Sequence, residues 1–73
     1  MNIRIVKRNE DLILLDLIVK YKMTILYKDK TKEVKYSTSK DCINNLDKTN
    51  IRLINLDGKT EKSGYLPLAQ FKI

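Results

Sequence analysis

The sequence predicts a β-rich fold of mainly antiparallel strands, with one short helix near residues 39–47. The first observation is a run in which every second residue is apolar over eight steps: Ile13, Leu15, Leu17, Val19, Tyr21, Met23, Ile25 and Tyr27. Period two is the repeat of a β-strand with one face against a core. The second observation is length, since 73 residues suffice for a single small domain, residues 1–73, with one core.

The apolar run also predicts a strong bend. A straight strand over residues 12–27 would span ~50 Å, whereas a domain of this size has a radius of gyration of only about 11 Å. No Gly, Pro or Asn lies inside the run, which disfavours a tight hairpin. We therefore expect one long, bent strand over residues 12–27 in a small barrel or a strongly coiled sheet.

A helix is the competing interpretation of the same run. Asn9 is a suitable N-cap, and several apolar residues have helical spacing: Leu12, Leu15, Val19, Met23 and Leu26. The β-branched and aromatic residues of the run favour the strand. Asp16 interrupts the apolar stretch, and we interpret it as marking the bend or a barrel rim rather than a functional buried carboxylate.

Short apolar alternations predict three further strands: Asn2–Lys7, Glu33–Thr38 and Ile51–Leu56. A weak capping box at 38–41 predicts the short helix, which ends near Asp47. Asp57-Gly58 is a hairpin dipeptide, and the polar residues after it place the start of the last strand near Gly64. Pro67 lacks an N–H and therefore predicts a sheet edge or a break.

The stretch Gly64-Tyr65-Leu66-Pro67 resembles the Gly–apolar–aliphatic–Pro segment near the end of SH3 domains. The resemblance covers these four residues alone. The chain has no Trp to match the ligand-stacking tryptophan of that family, and Gln70 stands where the family has a tyrosine. The resemblance implies an SH3-like barrel and no proline-rich ligand. The predicted architecture is thus a small SH3-like or OB-like barrel or a strongly coiled sheet.

Composition argues against most enzymes. The chain has one cysteine and no histidine, so it can form neither an internal disulfide nor a Cys/His zinc site. Ser37–Lys40 matches a Ser-x-x-Lys spacing, but a chain this short can hardly supply the pocket that such catalysis needs. We therefore expect no enzyme activity, no cofactor and no metal.

The lone Cys42 and the absence of a signal peptide predict the cytoplasm. The longest apolar run is far below the roughly twenty residues of a membrane span, so no membrane association is expected. Marginal stability at this size also predicts self-association into a homo-oligomer.

The net charge is +6, which favours an anionic partner. Lysines and a tyrosine cluster on or beside one predicted hairpin, and we take these as the candidate binding residues: Lys20, Lys22, Lys28, Lys30, Lys32, Lys35 and Tyr36. Tyr36 and Tyr65 are candidate stacking side chains. The interspersed Asp29 and Glu33 dilute the charge of this patch.

Two functions remain open. The first is a small non-enzymatic protein-interaction module, such as an inhibitor or adaptor encoded by a phage or mobile element. Small size, missing catalytic groups and exposed strand edges favour it. The second is a basic nucleic-acid-binding protein that uses the lysine-rich hairpin 20–35.

Overall fold

The computed structural model describes residues 2–73 and contains one five-stranded antiparallel sheet. Its strands are β1 (Asn2–Ile5), β2 (Lys20–Tyr27), β3 (Lys32–Ser37), β4 (Ile51–Lys59) and β5 (Tyr65–Lys72). They lie in the order β1-β5-β4-β2-β3. The predicted β-rich, antiparallel class is therefore confirmed. The SH3-like or OB-like barrel is not, because β1 and β3 are the two outer strands of a sheet that does not close.

The predicted long strand over residues 12–27 is wrong in its first half. A 3-10 helix at Lys7–Asn9 leads into the helix α1 (Glu10–Leu14), and the strand begins only at Lys20. The helical alternative was therefore correct for the first few residues of the run. Ile18 is buried, whereas its neighbours Leu17 and Val19 are exposed, so the two-residue alternation stops before β2.

Asp16 is where the helix ends and the chain turns. Its φ is +56°, the left-handed region that residues other than glycine seldom adopt. The Leu17 N–H donates to the Leu12 carbonyl (2.9 Å), and the Asp16 N–H donates to the Ile13 carbonyl (3.1 Å). This pair of bonds around a left-handed residue is the Schellman motif that terminates helices. The bend expected at Asp16 is present, as a helix stop rather than a bent strand.

Substitutions at Asp16 test this turn. Asp16→Gly is expected to stabilise the fold by about 0.5–1 kcal/mol, because glycine adopts positive φ without a Cβ clash. Asp16→Val is expected to destabilise it by about 1 kcal/mol or more, because a β-branched residue is strained there. Urea unfolding followed by circular dichroism measures both. A Val variant as stable as the Gly variant would contradict the left-handed geometry.

The predicted hairpin at Asp57-Gly58 is also wrong. Both residues lie inside β4, where Gly58 pairs with Tyr21 on one side and Leu66 on the other. A side chain at Gly58 would clash with the core, so glycine serves close packing here rather than a turn. The chain reverses after Lys59 instead, and β5 begins at Tyr65, close to the predicted start of the last strand.

The break expected at Pro67 is present. The β4–β5 register shifts after Leu56, so that Leu56 pairs with Ala69 and Asp57 pairs with Pro67. Leu68 is therefore the extra residue of a β-bulge, a setting that tolerates a proline within a sheet. The Asn9 side-chain amide donates a hydrogen bond to the Pro67 carbonyl at 2.8 Å, which links the segment before α1 to the bulge.

The helical segments cover one face of the sheet. A 3-10 helix at Cys42–Asn45 lies within the predicted helical stretch 39–47. The buried core consists of Ile18, Tyr21, Met23, Ile25, Cys42, Ile43, Ile51, Ile54, Leu56, Leu68 and Ala69. Leu12 and Ile13 of α1 and Leu46 pack against it. The period-two prediction holds for β2, where Tyr21, Met23 and Ile25 all point into this core.

Two loops share the sequence Asp-Lys-Thr and the same pair of Asp–Thr hydrogen bonds. In each, the aspartate Oδ1 accepts from the threonine hydroxyl at 2.6 Å, Asp29 from Thr31 and Asp47 from Thr49. The threonine backbone N–H donates to the same oxygen. The hydrogen bond from the threonine hydroxyl has the larger effect and the one from the backbone N–H the smaller. Together they hold the pKa of both carboxyl groups below the ordinary value of 3.8.

The lowered pKa values predict an acid-sensitive contribution to stability. A carboxyl group with a lower pKa in the folded state stabilises the fold above its unfolded pKa, and this contribution disappears as the pH falls through the folded value. The urea midpoint is therefore expected to fall as the pH is lowered through and below the ordinary value of 3.8. The fall should be smaller in the Asp29→Asn/Asp47→Asn variant. An identical fall in both proteins would contradict this assignment.

Candidate functional site

The face of the sheet opposite the core carries six of the chain's 15 basic residues. Residues that pair directly across neighbouring strands project on the same side of the sheet. This side is defined by pairs such as Lys22–Tyr36, Lys22–Asp57 and Asn55–Gln70. We call it the open face. Its polar, charged and aromatic members are Asn2, Arg4, Lys20, Lys22, Thr24, Lys32, Tyr36, Asn55, Asp57, Lys59, Tyr65, Gln70 and Lys72. All of them are exposed or half-buried.

Two tyrosines meet on the open face. Tyr36 lies on β3 and Tyr65 on β5, so the strands β2 and β4 lie between them. Neighbouring strands of a sheet are roughly 4.8 Å apart. Their rings nevertheless approach to 5.9 Å between centroids, at an interplanar angle of 52°. The two side chains therefore lean toward each other over the middle of the sheet. Tyr36 remains 56% exposed, which leaves much of its ring accessible to a ligand.

Lysine ammonium groups lie over both rings. Lys20 Nζ is 5.4 Å from the centroid of Tyr36, and Lys22 Nζ is 5.7 Å from that of Tyr65. These are cation–π distances. The cluster of Lys20, Lys22, Tyr36 and Tyr65 therefore joins positive charge and aromatic surface at one place, and we call it the tyrosine–lysine cluster.

Four of the predicted binding residues lie on the open face: Lys20, Lys22, Lys32 and Tyr36. Lys35 does not, because it alternates to the other side of β3, where it pairs with Met23 and lies 3.8 Å from the Glu33 carboxylate. Lys28 and Lys30 lie in the loop after β2. The predicted group is thus divided by the register of β3 and by the turn.

Other residues of the open face were absent from the predicted binding set: Arg4, Lys59, Lys72, Asp57 and Tyr65. Tyr65 was expected only as a stacking side chain. A detectable signal was the alternation along β4, in which Asn55, Asp57 and Lys59 are polar at every second position. A hairpin at Asp57-Gly58 obscures that pattern, because it ends the predicted strand at Leu56, three residues before the observed end at Lys59.

Asp57 is the carboxylate of the open face, and it is half-buried. Burial raises the pKa of this carboxyl group, while the nearby Lys22 ammonium acts in the opposite direction. Lys22 is its direct cross-strand partner in β2. Within residues 2–73, no nitrogen of a lysine or arginine comes within 4 Å of its carboxylate oxygens.

Cys42 is buried in the core and is not part of the open face. Burial raises the pKa of its thiol, which disfavours the reactive thiolate. Across the described part of the chain, no group of three or more His, Cys, Asp or Glu residues is arranged to hold a metal ion. No helix in residues 2–73 is long and apolar enough to cross a membrane.

A separate apolar surface surrounds the end of α1. Leu14 and Leu15 are 70% and 67% exposed, and Leu17 and Val19 are nearly half exposed. Leu17 and Val19 border a shallow cleft together with Leu12 and the loop at 60–62. We call these four exposed side chains the leucine patch. Exposed apolar surface of this kind is typical of interaction sites.

Comparison with known proteins gives no relative: no family model matches the chain, and no curated protein or solved structure matches it significantly. The fold and the surface define only a class, an open antiparallel sheet with one face packed by helical segments and one basic, aromatic face.

Proposed function

We propose that the protein binds single-stranded nucleic acid on the open face of its sheet, without catalysis. The tyrosine–lysine cluster is the observation that carries this proposal. Proteins that bind single strands combine a positively charged surface with aromatic side chains on which bases stack. Tyr36 and Tyr65 supply the aromatic surface, and lysines on β2, β3, β4 and β5 supply the charge.

Binding would exchange the partners of these groups. In the free protein, Lys20 and Lys22 lie over the tyrosine rings. An incoming base stacks on a ring and displaces the ammonium group, which then contacts a phosphate. A base inside a duplex has both faces covered by its neighbours, so the exchange requires an unstacked strand. The proposal therefore includes a preference for single strands over duplexes.

Lysine variants on the two sides of β3 test the surface. Lys32→Gln, on the open face, is expected to weaken binding of a fluorescent nine-nucleotide oligothymidine and to lower the slope of log K against log [salt] by about 0.7, the value for one phosphate contact on a single strand. Lys35→Gln, on the opposite side of the same strand, is the matched control and should change neither. Fluorescence anisotropy over a salt series measures both.

Two outcomes would refute nucleic-acid binding on this surface. One is the absence of binding to any single-stranded DNA or RNA at low salt. The other is an equal effect of the two lysine variants, since that would assign the affinity to net charge rather than to the open face.

A second candidate function, a cytoplasmic protein-interaction module encoded by a phage or mobile element, is supported by the leucine patch and by the unpaired edge of β3. Leu15→Lys tests it, because this side chain is 67% exposed and its replacement should not disturb the core. Wild-type protein is expected to retain one dominant partner from a bacterial lysate, or a second copy of itself in light scattering, and the variant to lose it. Retention by both proteins would exclude the patch.

A further inference from the structure

The position of Asp57 is unexpected for a surface that only attracts phosphates. Its direct partner in β2 is Lys22. Arg4 and Asp57 both line one depression in the open face. A carboxylate at this point repels a phosphate backbone, so it lowers the affinity for a polyanion. A carboxylate does, however, accept hydrogen bonds from the amino and imino groups of a base.

The surroundings of Asp57 form a depression suited to a planar group. It has a volume of about 370 Å³, and its lining includes Arg4, Asn55, Asp57, Pro67 and Gln70. This volume is within the range of small-molecule sites, about 300–1,000 Å³. The β-bulge between β4 and β5 lies at this point, where Asp57 pairs with Pro67. Bulges of this kind often redirect side chains at functional sites.

The polar groups in the depression are fixed in part. Gln70 Nε2 donates to Asn55 Oδ1 at 3.0 Å, which orients both amides. The Asn55 amino group and the Gln70 carbonyl oxygen keep further hydrogen-bonding capacity for a ligand. Arg4 adds a guanidinium group whose donors match two acceptors at once.

We propose that this depression is a nucleobase pocket that selects guanine. Guanine has two adjacent donors on its Watson–Crick edge, N1–H and the N2 amino group, which match the two oxygens of an ionised Asp57. Its O6 and N7 acceptors match the guanidinium of Arg4, the commonest specific pairing of arginine with a base. Adenine, cytosine and uracil or thymine each place an acceptor beside the donor on that edge, and this acceptor repels a carboxylate.

The guanine pocket rests on the proposed binding of single strands. One series of oligonucleotides tests the pocket separately from single-strand binding. The probes are nine-nucleotide thymidine strands with a single central guanine, adenine, cytosine or hypoxanthine, measured by fluorescence anisotropy. The guanine strand is expected to bind about 5- to 150-fold more tightly than the adenine and cytosine strands, the range for one bidentate base contact. The hypoxanthine strand, which lacks the N2 amino group, should lie between guanine and adenine.

Asp57→Asn is the diagnostic variant. It should lose the guanine preference while binding the all-thymidine strand as tightly as wild type or more tightly, because a negative charge leaves a basic surface. Asp47→Asn, in a loop, is the control and should keep the preference. A thermal unfolding curve verifies that both variants fold.

The results discriminate among three cases. Failure of every strand to bind overturns the proposed function itself. Equal affinity for all four central bases overturns the guanine pocket and leaves single-strand binding intact. A guanine preference that survives Asp57→Asn shows that the base is recognised elsewhere, which also overturns the pocket.

Discussion

Replacing both Tyr36 and Tyr65 by alanine is expected to abolish most single-strand binding. Base–aromatic stacking contributes about 1–3 kcal/mol per base by alanine substitution, so each single variant should weaken binding roughly 5- to 150-fold. The double variant should bind more weakly than either. The fold should lose little, because Tyr36 is largely exposed and each exposed cation–π contact contributes only about 0.5–1 kcal/mol.

Two controls make the tyrosine result specific. The Tyr36→Phe/Tyr65→Phe variant keeps both rings and should keep most of the affinity. Tyr27→Ala removes a tyrosine outside the open face, whose hydroxyl donates to Glu33 at 2.6 Å, and should leave binding unchanged. If the double alanine variant binds an oligothymidine as tightly as wild type, stacking on these rings is wrong.

Gly58→Ala is expected to destabilise the fold by about 1–3 kcal/mol, a large part of the stability of so small a domain. A Cβ at this position would lie 2.5 Å from Leu68 Cδ1 and 2.9 Å from Ile18 Cδ1. Leu68 is fully buried, so its side chain has little room to move. The urea midpoint measured by circular dichroism should fall accordingly.

The chain contains a matched control for this substitution. A Cβ on Gly64 meets nothing within 4 Å, and neither glycine has a positive φ. Gly64→Ala should therefore be neutral or slightly stabilising. Adding Leu68→Ala to Gly58→Ala should cost less than the sum of the two single changes, because it removes the clashing methyl group. Equal stability of the Gly58 and Gly64 variants would contradict the close packing of β4 on Ile18 and Leu68.

The sequence predicts the second half of the opening run better than the first, and the reason is physical. From Lys20 to Tyr27, lysines and a threonine alternate with apolar residues, so only a strand keeps the polar side chains in water. From Leu12 to Val19, nearly every residue is apolar. Either a strand or a helix would bury some of these side chains, so the pattern does not distinguish the two. The contacts of Leu12 and Ile13 with the core favour a helix that ends at Leu14, and the left-handed turn at Asp16 leaves residues 15–19 outside any helix or strand.

The open face is only partly predictable for a related reason. Lys20, Lys22, Lys32 and Tyr36 follow from alternation along two strands that are adjacent in sequence. Tyr65 and Lys72 reach the same surface through the order β5-β4-β2, which no local pattern encodes. Asp57-Gly58 was misleading, because its local turn preference is outweighed by the burial of Gly58 between Ile18 and Leu68.

The most direct test of the central proposal is a titration of ¹⁵N-labelled protein with an unlabelled nine-nucleotide oligothymidine, followed by amide chemical shifts. Single-strand binding on the open face predicts the largest shifts at Lys20, Lys22, Tyr36 and Tyr65, with Lys35 and Leu15 nearly unchanged. The contradicting result is a spectrum that does not respond to the oligonucleotide, or one whose shifts are confined to the leucine patch.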